Sequence, residues 1–407
     1  MAHLAVLIAD LGFGDAGKGS IVDYLARQAK SAMVVRYNGG PQAAHNVVTP
    51  DGKHHTFAQF GSGSFVPGVR THLGPGMLIN PFNAFEEAHH LQALGINDIW
   101  LRTTFNADAM VITPFHVAVN RLRELTRGDA RHGSCGQGIG ETRAFDIAHP
   151  FTSIRMRDLA NPNQLRFLLR LMQGHLRADA QHFFRALKPG KDVAAAEDLL
   201  LDPDYVEHIA NGYSQFLQVA RVIETHEFAR LSEGFEQLIF EGAQGVLLDE
   251  KYGFHPHTTW SDITYRHAHD LLDAIGFDGD IRRLGLLRGY ATRHGAGPFV
   301  TEDAHLSETI QDYHNDNNQW QRAFRVGFPD LVMTRYAIDV VGGVDELVVT
   351  NLDRMIETGQ PWKVATRYQM SEPNSLDAIF SIDDTGAVVG IKHKAEKDLV
   401  RQELIMK

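Results

Sequence analysis

Residues 4–28 constrain the fold more than any other stretch. Leu4-Ala5-Val6-Leu7-Ile8 is an apolar run, Gly12-Phe13-Gly14-Asp15-Ala16-Gly17-Lys18-Gly19-Ser20 is a glycine-rich loop, and Ile21, Val22 and Leu25 then recur at helical spacing. A short apolar run bounded by acid and glycine predicts a buried strand, and the periodic residues predict a helix. The loop between them fits G-x-x-x-x-G-K, with Gly19 where Ser or Thr is usual. Its glycines let successive backbone N–H groups converge on phosphate oxygens, the helix that follows presents its positive end, and Lys18 adds a point charge. Asp15 is the odd member. A carboxylate among phosphate-binding amides repels phosphate unless a metal ion lies between them or the carboxylate takes a proton from a substrate.

Further strands are expected at Ala32–Tyr37, Ile99–Arg102, Gln237–Phe240, Leu284–Leu287 and Glu346–Thr350. From residue 161 to 236 the pattern is helical. Pro162 suits a first helical turn, Leu165, Leu168, Leu169 and Met172 follow at helical spacing, and Tyr213, Phe216, Leu217 and Val222 continue it. Strands separated by helices imply an α/β fold with a mainly parallel central sheet and helices on both faces. No repeat or long Pro/Ser linker divides the chain, so residues 1–407 read as a single domain with a helical subregion, 161–236, inserted. Ligands of such sheets bind beyond the carboxyl ends of the strands, the rim that the glycine-rich segments are expected to share.

The 39 Lys and Arg against 50 Asp and Glu give a net charge of −11, so the chain as a whole repels nucleic acid. An anionic ligand must therefore be held by loops and a few local cations. No run of about 18 apolar residues offers a membrane span. The start, Met1 to Asp10, has no basic region of the kind that opens a secretory signal. With a single cysteine, Cys135, no internal disulfide can form, which suits a reducing compartment. A cytoplasmic protein with small-molecule partners, and neither nucleic acid nor membrane, is expected.

Four more segments follow the loop in order: Asn38-Gly39-Gly40-Pro41-Gln42-Ala43-Ala44-His45, Gly133-Ser134-Cys135-Gly136-Gln137-Gly138-Ile139-Gly140, Glu241-Gly242-Ala243-Gln244-Gly245 and Tyr290-Ala291-Thr292-Arg293-His294-Gly295-Ala296-Gly297-Pro298-Phe299. Together with Gly14–Gly19 they resemble the motifs of the adenylosuccinate synthetase family. There the loop reads Gly-Asp-Glu-Gly-Lys-Gly, and the other four read Gly-Gly-His-Asn-Ala-Gly-His, Gly-Thr-Thr-Gly-Arg-Gly-Ile-Gly, Glu-Gly-Ala-Gln-Gly and Tyr-Ser-Thr-Arg-Val-Gly-Ala-Gly-Pro-Phe. Pro256 and Thr259 follow in step, and a weaker match lies near Asp353.

The resemblance implies a ligase that joins IMP to L-aspartate while hydrolysing GTP to GDP and phosphate. It implies a Mg²⁺ requirement, a 6-phosphoryl purine intermediate and a homodimer. By motif, Asp15 would be the base at purine N1 and, with the backbone carbonyl of Ala44, a magnesium ligand. His45 would stabilise charge on the transferred phosphoryl group, and Gln244 would bind the purine O6 edge. Gly14, Ala16, Gly17, Lys18, Gly19 and Ser20 would hold the triphosphate, with Asn351 and Asp353 at its base. Gln42, Ala43, Ser134, Cys135, Gln244 and Thr259 would contact the purine monophosphate. Arg322 and Arg325 would clamp the carboxylates of the amino acid in bidentate fashion.

Departures from the family's motifs cluster at the substrates. Ala16 replaces the family's Glu, Ser20 its Lys, Cys135 a phosphate-binding Thr, and Asn351 the Lys that covers guanine. The family's Thr-rich aspartate loop gives way to an Asn-rich stretch, His314 to Phe328, and its closing Ser-Thr-Gly-Pro guanine loop has no clear counterpart before Lys407. A viral branch of the family acts on deoxyguanylate, and at least some of its members carry Ser at the position of Asp15. Two alternatives follow. One is ligation of aspartate to GMP or dGMP with ATP, dATP or GTP; the other is a catalytically silent nucleotide-binding paralogue.

Overall fold

The structure, a computed structural model, describes residues 3–128, 134–310, 324–359, 361–369 and 380–392. The opening run forms β1 (Leu4–Asp10), buried along nearly its whole length, and the helix α1 (Lys18–Gln28) starts within the glycine loop. Seven more strands join β1: β2 (Ala32–Arg36), β3 (Arg70–Leu73), β4 (Thr103–Asn106), β5 (Arg221–Ile223), β6 (Gln237–Gly245), β7 (Asp280–Arg288) and β8 (Glu346–Thr350). Among the described residues their order in the sheet is β8-β7-β1-β6-β2-β3-β4-β5. The pairs β6/β2, β2/β3, β3/β4, β4/β5 and β7/β8 are all parallel. Parallel neighbours need crossover connections, which is why helices alternate with strands along the chain. The chain has the expected α/β fold with a parallel central sheet.

Two sequence expectations fail at the same edge of this sheet. Ile99–Arg102 is a one-turn helix, not a strand, and the strand begins at Thr103. The turn is fixed by Arg102, which pairs with Asp98 at 2.9 Å and donates to the carbonyls of Ser64, Val66 and Val69, leaving Leu101 82% exposed. A four-residue apolar run cannot by itself distinguish a strand from a helical turn. Val222 is likewise a strand residue, paired with Phe105, and not part of a helix.

The helical region holds α2 (Pro162–Ala186), α3 (Lys191–Leu201) and α4 (Asp204–Val219). Asn161 caps α2 by accepting from Gln164 N at 3.2 Å, with Pro162 in the first turn as expected. Leu165, Leu168, Leu169, Met172, Leu176, Ala180 and Phe183 form its buried stripe.

The chain divides into two compact units. The first comprises Met1–Ala5, Gly19–Glu241 and His267–Asp280, and its core includes the α2 stripe, Phe60, Phe105 and Phe216. Trp100 meets Phe60 and Phe216 edge-on at 5.5 and 5.7 Å. Each such ring is worth roughly 1.5–3 kcal/mol when buried, so Phe105→Ala would cost about 3–5 kcal/mol. The second unit comprises Val6–Lys18, Gly242–Arg266 and Ile281–Lys407, with a smaller core around Tyr290, Leu306, Ile310, Val326 and Met355.

Candidate active site

In the second unit, the phosphate loop is curled around an anion of its own. The buried Asp10 carboxylate accepts from Gly12 N at 3.0 Å, from Ala16 N at 2.8 Å and from Lys18 Nζ at 2.9 Å. Lys18 is thereby held inside the loop and not out in solvent. Asp15 follows at φ +62°, and burial pushes its carboxyl above the ordinary range. Arg288 and Lys18 oppose that rise, Asp10 adds to it, and the nearby His294 opposes it weakly. A carboxyl in this condition takes a proton or a cation readily.

Among the described residues only three non-glycine residues have positive φ: Asp15, Gln244 at +64° and Asn351 at +54°. All three are candidates drawn from the sequence. Such backbone costs of order 1–3 kcal/mol per residue and persists where the surroundings over-determine it. The surroundings of Gln244 are visible next door, since a Cβ on Gly245 would lie 2.2 Å from both Gly12 O and Gly14 N. The end of β6 is therefore pressed against the phosphate loop. On another side of the loop, Thr350 Oγ1 donates to Ala16 O at 3.0 Å. Asn351 Oδ1 accepts from Arg288 Nε at 3.3 Å, and the side chain of Asp353 is 71% exposed, with Arg354 4.0 Å away. Thr259 donates its backbone N–H to Leu248 O at 2.8 Å. A pocket adjoins the loop, its mostly apolar wall carrying Asp10, Arg288, Thr292 and Asp330 among its polar groups.

Two arginines brace this unit. The Arg293 guanidinium lies over the Phe13 ring at 4.1 Å and donates to Pro298 O at 2.7 Å. Burial pulls its pKa down to about 9, with Arg325 adding like-charge repulsion. Arg325 itself is engaged with Glu302 at 2.7 Å and with Gly297 O at 2.6 Å. Arg322 lies outside the described residues.

In the first unit, His45 Nδ1 is 2.5 Å from Glu241 Oε1. Ser62 donates its N–H to Glu241 Oε2 at 3.0 Å and its hydroxyl to Oε1 at 2.5 Å. Burial alone would raise the Glu241 carboxyl, but Arg36 and the bonds from His45 and Ser62 hold it down at about 2. An ionised Glu241 keeps a proton on His45 Nδ1 and makes Nε2 the ring's other functional nitrogen. Gly19 explains its own departure from the usual loop, because a Cβ there would sit 2.9 Å from Asn46 O and 3.0 Å from His45 Cβ. Ser20 Oγ donates to Asn46 O at 3.4 Å. Gln42 and Ala43 lie in a turn closed by Ala43 N to Gly40 O at 3.2 Å, and Ala44 is exposed. Ser134 exchanges hydrogen bonds with Asn120 at 3.0 and 3.1 Å. Burial pushes the neighbouring Cys135 thiol up to about 11, so it stays protonated and inert at neutral pH.

The family model for adenylosuccinate synthetase matches residues 7–390. The chain belongs to the adenylosuccinate synthetase family. The adenylosuccinate synthetase of Neisseria meningitidis serogroup C (strain 053442) is 31% identical over 386 residues, covering 92% of this chain and 82% of that protein. That of Mycobacterium bovis (strain BCG / Tokyo 172) is 32% identical over 358 residues, covering 86% and 77%. Among solved structures, the fully ligated adenylosuccinate synthetase of Plasmodium falciparum has a TM-score of 0.70 at 22% identity, over 87% of this chain and 78% of that one. The succinoaminodeoxyadenylate synthetase of cyanophage S-2L, bound to dGMP and to dATP as an energy donor, has a TM-score of 0.57 at 19% identity, over 90% and 92%. Both share the fold.

As a member of this ligase family of purine biosynthesis, the chain carries features its motifs do not announce. Sequence reasoning passed over Asp10, although an acid closing an apolar strand just before a glycine loop is a usable signal. Glu241 lies in the Glu241–Gly245 motif with no role implied for it, and a charge inside the buried strand β6 is the signal that marks it. Arg288, which acts on Asp15 electrostatically, had no distinguishing pattern, and His294 stood in a motif with no role assigned to it.

Proposed function

We propose that this family ligase condenses IMP with L-aspartate at the expense of GTP, yielding adenylosuccinate, GDP and phosphate. The observation that carries the reading is Asp15, a carboxyl raised by burial inside a phosphate loop that also contains Lys18. A raised carboxyl is matched to removing the weakly acidic N1 proton of an oxopurine. O6 then attacks the γ-phosphorus, and the amine of aspartate displaces phosphate at C6. Lys18 and the loop amides hold the phosphates, and His45, backed by the anionic Glu241, donates to the phosphoryl oxygens as charge builds there. Gln244 orients the O6 edge. Gln42, Ala43, Ser134, Cys135 and Thr259 hold the monophosphate, Asn351 and Asp353 the donor base, and Arg325 with Arg322 the aspartate carboxylates.

Magnesium fits the residues present. Asp15 and the Ala44 carbonyl are hard oxygen donors, and an anion raised by burial gains from a cation beside it. Among the described residues no group of three or more His, Cys, Asp or Glu could hold a metal alone. Mg²⁺, when bound, would offset the negative charge of Asp15 and of the phosphates. The homodimer and the cytoplasmic setting belong to the same reading; among the described residues no helix is long and apolar enough to cross a membrane.

His294 favours a second reading. It stands where the family has Val and is close enough to Asp15 to influence its titration, so it changes the polarity beside the purine-activating acid. The alternative acceptor is a 2-amino purine, GMP or dGMP, with ATP, dATP or GTP as donor. The experiment gives the full chain IMP or dGMP, GTP or dATP, and aspartate with Mg²⁺, following near-ultraviolet absorbance and product mass. Adenylosuccinate is expected as the fastest-forming product. Faster turnover of dGMP would replace the first reading with the second, and no product in any arm would defeat both.

A further inference from the structure

We propose that Trp362 forms a stacking wall for the nucleobase of the triphosphate donor, a residue outside every motif that marks the family. The inference rests on the reading of Asn351 and Asp353 as the donor-base site. The end of β8 links that site to the phosphate loop, since Thr350 Oγ1 bonds Ala16 O while Thr350 O accepts from Gly289 N at 2.8 Å. Trp362 is fastened to the same point, its indole Nε1 donating to Gly289 O at 2.9 Å. Gly289 packs directly on the segment that carries the base site, for a Cβ there would lie 3.1 Å from Leu352 Cδ2 and 3.6 Å from Asn351 O.

An indole has one donor, and here it is used on the backbone. The ring is thereby fixed in place, yet Trp362 remains 54% exposed. A tethered aromatic face left half open beside a polar site suits a planar heteroaromatic ligand. The exchange of residues along the segment agrees. Asn351 stands where the family's lysine covers the base, so a short amide has replaced a long aliphatic stem. The neighbouring Asp353, with its carboxylate largely in solvent, remains to read the base edge. Stacking on an indole does not distinguish one purine from another, because each presents a π-face. Trp362 therefore adds affinity for guanine and adenine triphosphates alike, and discrimination is left to Asp353.

Binding of GTP, ATP and inorganic tripolyphosphate to the full chain, by calorimetry and tryptophan emission, tests this. Both nucleotides should quench emission and tripolyphosphate should not. Trp362→Phe should keep nucleotide affinity within about twofold while losing most of the quench, and Trp362→Ala should weaken both nucleotides roughly tenfold or more with tripolyphosphate unchanged. If Trp362→Ala fails to fold, loss of the quench in Trp362→Phe decides the matter. Nucleotide affinity untouched in a folded Trp362→Ala, or a quench that survives in Trp362→Phe, overturns the stacking wall and leaves the ligase reading standing. Failure of the parent chain to bind any triphosphate overturns both.

Discussion

Asp15 and Glu241 are two carboxyls in glycine-rich motifs, and burial acts on both in the same direction. They end in opposite states. Glu241 receives three hydrogen bonds, from His45 and from the amide and hydroxyl of Ser62, and feels Arg36, so it is held at about 2. Asp15 has cations in its field, but among the described residues no hydrogen bond reaches its carboxyl, and it stays raised. At Glu241 the field of Arg36, joined by the donors of His45 and Ser62, outweighs desolvation; at Asp15 the field of Arg288 and Lys18 does not. One acid is thereby made a permanent anion that supports an imidazole, and the other is left ready to change its charge. Environments that push two titratable groups apart assign their roles.

The comparison can be broken first at Asp15. Asp15→Asn should lower turnover by roughly 10²–10⁴, as loss of a positioned base does, with triphosphate binding retained. Because ionising Asp15 in the fold is unfavourable, the thermal midpoint of the variant should hold or rise. Equal turnover of variant and parent in the absorbance assay would remove Asp15 from the chemistry. Glu241→Gln attacks the other side. Removing one partner of a buried, hydrogen-bonded charge cluster should cost about 3–5 kcal/mol in denaturant titration, because Arg36 is left uncompensated. The pH dependence is specific. A carboxyl at about 2 in the fold against 4.5 unperturbed contributes stability that is complete above pH 4.5 and is lost as pH falls towards 2. Melting curves of Glu241→Gln should be flatter over that window than those of the parent; an unchanged acid limb would contradict the assignment.

Gly19→Ala sharpens the contrast without touching either acid. Its Cβ would collide with His45 and the Asn46 carbonyl, so turnover should fall about tenfold for a stability loss of about 1–3 kcal/mol. A fall in activity no larger than that of a distant helix-surface substitution would show that His45 need not be held so closely. The smallest effect is expected at Cys135. Its protonated thiol is a poor donor, and Cys135→Thr should lower the KM for the monophosphate roughly two- to fivefold, leaving the behaviour of both acids unchanged.

The opening strand, loop and helix were readable because a buried parallel strand is a continuous apolar run and the loop is marked by glycine. Pro162 likewise announced α2 in advance. Ile99–Arg102 was not legible, because what fixes that turn is a salt bridge and three carbonyls contributed by residues 64–69 and 98. At the candidate site, the motifs pointed to Asp15, Lys18 and His45, the groups proposed to act on ligands. They did not point to Asp10, Ser62 or Arg36, whose work is done on other side chains across long sequence separations. A spacing pattern carries no record of which carboxylate a distant arginine faces.

Asp15, Gln244 and Asn351 occupy backbone conformations in which glycine would rest more easily. These three side chains, each assigned a part in the proposed chemistry, are thus kept at the expense of the fold that carries them. A library sorted for heat resistance alone would drift towards glycine at these three positions and return sturdier, inert proteins.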